Sequence, residues 1–191
     1  FRMHENGLGK PWQPPPEWQS ELRTEVECYL TQQGREHASK AALEALVSDW
    51  LPGTARWLSP WDHVSWLTVL SEQADPRQLL ADREALWRRL QKLSSENLSR
   101  EVFDGAVAAL ERVAWDRMGA GAARQIQMHA IDALAAYRAK LVFQREIEQR
   151  VAQLPLATHV APWIGRLTTG VVLAYLGDLG GYASPGALEK A

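Results

Sequence analysis

The chain has 191 residues, 46% of them hydrophobic, and a formal net charge of −2. That is enough for one sizeable core or two small ones, and it excludes a strongly basic protein that coats nucleic acid by charge alone. Its one cysteine, Cys28, excludes an internal disulfide and a cysteine metal cluster, and the lack of an apolar run or signal segment reads as a soluble cytoplasmic chain with no membrane partner.

Residues 1–19 form a proline/tryptophan-rich arm, with Pro11, Pro14, Pro15 and Pro16 beside Trp12 and Trp18. Proline favours an extended path there. Tryptophans lying on a helical body are a better reading than a docking ligand, which needs more than composition.

A helical middle domain is predicted over 20–118. Leu22, Val26, Tyr29 and Leu30 recur at helical spacing, and Gly34 is expected to end that element. Ser39 is expected to cap the next, which aligns Leu43, Leu46, Val47 and Trp50 and closes at Pro52-Gly53. Ser59-Pro60 is a cap followed by proline at the first helical position, with Asp62 adding a favourable charge in that turn. Trp66, Leu67 and Leu70 supply its buried face. Asp75-Pro76 repeats the device ahead of Leu79, Leu80, Leu86, Trp87, Leu90 and Leu93. Ser99 starts a further helix with Val102, Phe103, Ala106, Leu110 and Val113 inward.

Gly119-Ala120-Gly121 breaks the chain, and 122–154 then reads as one long helix. Leu134, Tyr137, Leu141, Ile147, Val151 and Leu154 mark a thin apolar seam, with Arg138, Lys140, Arg145, Glu146, Glu148 and Arg150 on the other faces. Some 33 residues span roughly 50 Å. A helix that long with so thin a seam pairs with another helix or with a second subunit, so 122–154 is a candidate dimerisation arm. Pro155 ends it. No stretch alternates like a strand, so the predicted fold class is all-α.

Residues 155–191 read as helix, hairpin, helix. Pro162-Trp163-Ile164-Gly165 makes the bend, and Arg166, Thr168 and Thr169 open the second helix. A bend of this kind aims backbone N–H groups at a phosphate. Trp163, Ile164, Gly165, Arg166, Thr168 and Thr169 are therefore the candidate nucleic-acid contacts; the plainer reading is a packed turn between two helices. Charge agrees weakly with the first. Residues 121–191 carry seven Lys/Arg against five Asp/Glu, whereas 1–120 carry fourteen against eighteen.

Other constellations yield less. The nine tryptophans sit mostly among leucines at helical spacing, which favours core packing over base stacking; Trp57 and Trp61 flank a loop and a helix start. His4, His37, His63, His129 and His159 are scattered without metal-ligand spacing. Asp62 and His63 are adjacent in sequence and so point to different faces of a helix. No catalytic residue and no metal ligand is assigned, and a self-contained enzyme built on Asp62 and His63 is the weakest reading.

The run Pro162-x-Ile164-Gly165-x-x-Thr168-x-x-Val171-x-Leu173-Ala174-Tyr175-x-Gly177-Asp178, followed by Tyr182-x-Ser184-x-x-Ala187-Leu188-x-Lys190-Ala191, resembles the C-terminal domain of the RuvC-like insertion-sequence transposases, the bridge-RNA-guided recombinases. Asp49-Trp50-Leu51-Pro52 is similar to an upstream turn of that family, and Asp75-Pro76-Arg77-Gln78-Leu79-Leu80 to one of its helix starts. The likeness is specific over 160–191 and suggestive over 40–159. Trp163 stands where the family has glycine. The resemblance implies DNA cleavage and rejoining, with a divalent metal such as Mg held by an N-terminal acidic domain, a serine nucleophile further on, and a structured guide RNA. Both catalytic segments would lie outside Phe1–Ala191, so the chain is expected to be a piece of a longer protein, to carry no cofactor of its own, and to be inactive alone. It would contact DNA and form a homo-oligomer through 122–154. The rival is a helical protein-interaction module with no nucleic-acid role. Charge reversal at Arg166 and Arg150 separates the two.

Overall fold

The computed structural model describes residues 15–50, 64–112, 119–155 and 157–177. These hold eight helices and no strand: α1 Glu17–Trp50, α2 Val64–Glu72, α3 Pro76–Leu79, α4 Arg83–Leu93, α5 Arg100–Glu111, α6 Ala120–Gln153, α7 Ala157–Ile164 and α8 Arg166–Leu176. None is long and apolar enough to cross a membrane. The chain divides into two units, one of residues 1–29 with 142–191, the other of 30–141.

In the unit of residues 30–141, local chemistry sets the helix starts. Asp75 caps α3 by accepting from the Arg77 amide, with Pro76 at the first position. Ser99 caps α5 by accepting from the Val102 amide. Both match the sequence reading. Between Asp75 and Leu93 the chain forms two helices, because Asp82 turns the chain and caps α4 through the Ala85 amide. Trp66, Leu67, Leu70, Leu90, Phe103 and Leu110 fill the core together with Ile126, Ala130 and Ala133 of α6. The Gln127 amide donates to the carbonyls of Ser71 and Glu72, satisfying the end of α2. The expected caps at Ser59 and Asp62 and the stop at Pro52-Gly53 lie outside the described residues.

Helix α1 does not stop at Gly34 or restart at Ser39. Gly34 costs about 1 kcal/mol in a helix interior, but the turn after it is anchored. Glu36, 2% exposed, pairs with Lys40 Nζ at 2.6 Å and Lys140 Nζ at 2.5 Å. Burial by itself would raise the Glu36 pKa, yet the two ammonium groups together hold it below its ordinary 4.5. A carboxyl with a depressed folded pKa stabilises the fold above its unfolded pKa, and this contribution fades as pH falls through the folded value. Wild-type protein is therefore expected to lose more stability than Glu36→Gln on acidification below 4.5, read as urea midpoints across a pH series. Parallel curves would mean that the carboxylate carries no such term.

In the unit of residues 1–29 and 142–191, Leu22 and Val26 of α1 pack with Ile147 and Val151 of α6, Ala157 of α7, and Leu173 and Ala174 of α8. Trp18, placed in the arm by sequence, lies inside α1 and packs half-buried on this cluster. Arg150 donates from Nε to Glu25 Oε1 at 2.8 Å and from Nη1 to Glu21 Oε2 at 2.5 Å. The Ile147, Val151 and Leu154 end of the apolar seam read on 122–154 is thus filled from within the chain.

Candidate nucleic-acid interface

Helices α7 and α8 meet at a single residue. Gly165 has φ +80°, a backbone conformation that side-chain-bearing residues rarely adopt. Its N–H donates to the Ala161 carbonyl at 2.9 Å, closing α7, and its carbonyl accepts from the Thr169 amide at 3.0 Å, opening α8. The expected four-residue hairpin is therefore shorter: Pro162, Trp163 and Ile164 form the last turn of α7. Pro162 has no N–H to donate, so α7 gives up one backbone hydrogen bond at that position.

The side chains divide sharply. Trp163 is 86% exposed and Ile164 43%. Gly165, Arg166 and Thr168 are also exposed. Thr169 is fully buried, and its hydroxyl donates to the Gly165 carbonyl at 2.8 Å. Its side chain fixes the bend and does not face solvent. No side chain caps α8 at Gly165, so the amides of Arg166, Leu167 and Thr168 precede the first helical hydrogen bond without a capping partner. Residues 157–177 contain no carboxylate. Beside the bend, Val151, Leu154, Ala157, Ala161, Pro162 and Arg166 line a groove of about 370 Å³.

Arg150 behaves differently from Arg166. Glu25, then Glu21, hold its guanidinium and raise its pKa. Its charge is committed inside the fold, so reversing it would disturb the packing of α1 on α6 and cannot report on a phosphate. The Arg166 side chain makes no hydrogen bond or ion pair among the described residues.

Two further residues hold the far end of α8. The Gln19 amide donates to the Ala174 carbonyl at 3.3 Å, and the Arg23 guanidinium lies 5.3 Å from the centre of the Tyr175 ring. Nothing local in sequence pointed to either, since 155 residues separate Gln19 from Ala174. Among the described tryptophans, Trp66 is in a core and Trp18 and Trp87 are half-buried, while Trp50 and Trp163 are exposed. Trp12, Trp57, Trp61 and Trp115 lie outside the described residues, as do His4, His63 and Asp62. No group of three or more His, Cys, Asp or Glu side chains suited to a metal ion occurs among the described residues.

Comparison with protein-family models, with curated proteins and with solved structures finds no match.

Proposed function

We propose that this chain supplies nucleic-acid backbone contacts and subunit pairing for DNA strand exchange. It would be part of a RuvC-like insertion-sequence transposase or bridge-RNA-guided recombinase whose catalytic segments and divalent metal lie elsewhere in that protein. The observation that supports this most is the uncapped start of α8 at an exposed glycine bend, with Arg166 unpaired among the described residues and no carboxylate from 157 to 177. Exposed amides and a guanidinium make a site for a phosphate oxygen. The partners are DNA and a structured guide RNA, in a cytoplasmic setting.

The test is fluorescence anisotropy with labelled duplex DNA and labelled structured RNA. Binding that weakens with salt is expected. Arg166→Glu should weaken it about tenfold for all sequences alike and flatten the salt slope. Absence of salt-dependent binding to either probe would overturn the reading. The exposed Trp163 and Ile164 favour one rival, a protein-interaction module with no nucleic-acid role. Under that rival, Arg166→Glu leaves the anisotropy of both probes unchanged.

A further inference from the structure

The groove beside the glycine bend owes its shape to small residues. Ala157 and Ala161 are four apart and share one face of α7. Their short side chains leave about 370 Å³ open against Val151 and Leu154 at the end of α6. Val151 and Ala157 are buried, Leu154 and Ala161 are half-buried, and Pro162 and Arg166 are exposed. All six belong to the unit that contains residues 142–191. Small-molecule sites occupy roughly 300–1,000 Å³, and this groove falls within that range.

Its chemistry is narrow. Among the described lining residues the Arg166 guanidinium is the one charge, and none is acidic or aromatic. The Arg166 side chain has no hydrogen bond or ion pair among the described residues. No Asp or Glu occurs from 149 to 177. Thr158 brings the one hydroxyl, and it already donates to the Pro155 carbonyl at 2.6 Å. An aliphatic surface edged by such a guanidinium is complementary to an aliphatic tail that ends in an anion.

We infer that this groove binds a medium-chain fatty carboxylate. The tail lies along Val151, Leu154, Ala157 and Ala161, and the carboxylate meets Arg166 in a charge-assisted hydrogen bond. Other ligands fit less well. A sugar or a nucleobase would bring several polar groups to a surface that can pair few of them. An alkylammonium would meet a like charge. An alcohol of equal length would bury the same tail but make only a neutral acceptor for the guanidinium. The inference goes beyond the nucleic-acid reading, although both use Arg166, so a carboxylate and a phosphate would compete there.

The experiment is isothermal titration calorimetry on the full chain without nucleic acid. Hexanoate, octanoate and decanoate are used below their micelle-forming concentrations. Affinity should rise about fourfold for each added methylene while the tail still lies in the groove. Octanoate should bind about tenfold more tightly than octanol, and octylammonium more weakly than either. Arg166→Gln, at an exposed position, should cost octanoate about tenfold and leave octanol unchanged. Ala161→Phe should fill the groove and abolish both, with circular dichroism to show that the helices persist. Methyl NMR shifts at Val151, Leu154, Ala157 and Ala161 on adding octanoate locate the ligand without any variant.

Neither heat nor methyl shifts with decanoate would overturn the site. Affinity independent of tail length would overturn it too, since the groove would then hold no tail. Equal affinity for octanoate and octanol, or full octanoate affinity in Arg166→Gln, would overturn the role of the guanidinium. A chain that binds octanoate but no nucleic acid would keep the groove and sink the phosphate reading, and a chain that binds nucleic acid but no octanoate would do the reverse.

Discussion

Gly170→Val is expected to destabilise the protein by about 3 kcal/mol or more. Gly170 lies on the buried side of α8. A Cβ there would come closer than 3.0 Å to Ile147 Cγ2 and within 3.1 Å of Val151 Cγ2. Neither neighbour can withdraw. Both are fully buried, and both are β-branched on a helix, where one χ1 rotamer dominates. Gly170→Ala gains about 1 kcal/mol of helix propensity but meets the same methyl group, so a smaller net loss is expected. Urea unfolding measures this, with the midpoint falling and the slope unchanged. A double-mutant cycle isolates the cause. Ile147→Ala removes the obstructing methyl, so Gly170→Ala should cost at least about 1 kcal/mol less in that background than in the wild type. Strict additivity would show that the two helices do not meet at this point.

Gly170 also shows what a sequence can hide. Its neighbours across the interface lie about twenty residues earlier on another helix, so the glycine reads only as a weak point in an apolar run. Features that rest on contacts within one turn were readable. Asp75 and Ser99 cap their helices through amides two and three residues ahead, and the long helix predicted over 122–154 runs from Ala120 to Gln153. Features that rest on distant partners were not. Gly34 looks like a stop in the sequence because the anchor of the next turn, Lys140, lies 104 residues beyond Glu36. Arg150 looks available in the sequence because Glu21 and Glu25 are 129 and 125 residues away. The grouping of residues 1–29 with 142–191 has the same origin. At the bend, the glycine and the flanking helices were legible. The burial of Thr169 and the exposure of Trp163 were not, since each depends on which side of α8 or α7 meets the core.

Trp66→Ala and Trp163→Ala are expected to give opposite results although the chemical change is identical. Trp66 is 1% exposed and sits in the cluster formed by residues of α1 to α6. Truncating it removes a large apolar surface and leaves a cavity, at a cost of about 3–5 kcal/mol. Helix α2 has nine residues, too few to hold its shape without that packing. Loss of Trp66 should therefore lower both the urea midpoint and the protection of α2 amides in hydrogen exchange. Trp163 is 86% exposed, so its removal forfeits almost no burial. Trp163→Ala should unfold within about 0.5 kcal/mol of the wild type. Its effect should appear instead in the anisotropy titration, because Trp163 is exposed two residues before Gly165, where α8 begins without a side-chain cap. A Trp163→Ala variant that lost as much stability as Trp66→Ala would place the ring inside packed structure. The bend would then be a covered corner, and the proposed phosphate contact would have no surface on which to form.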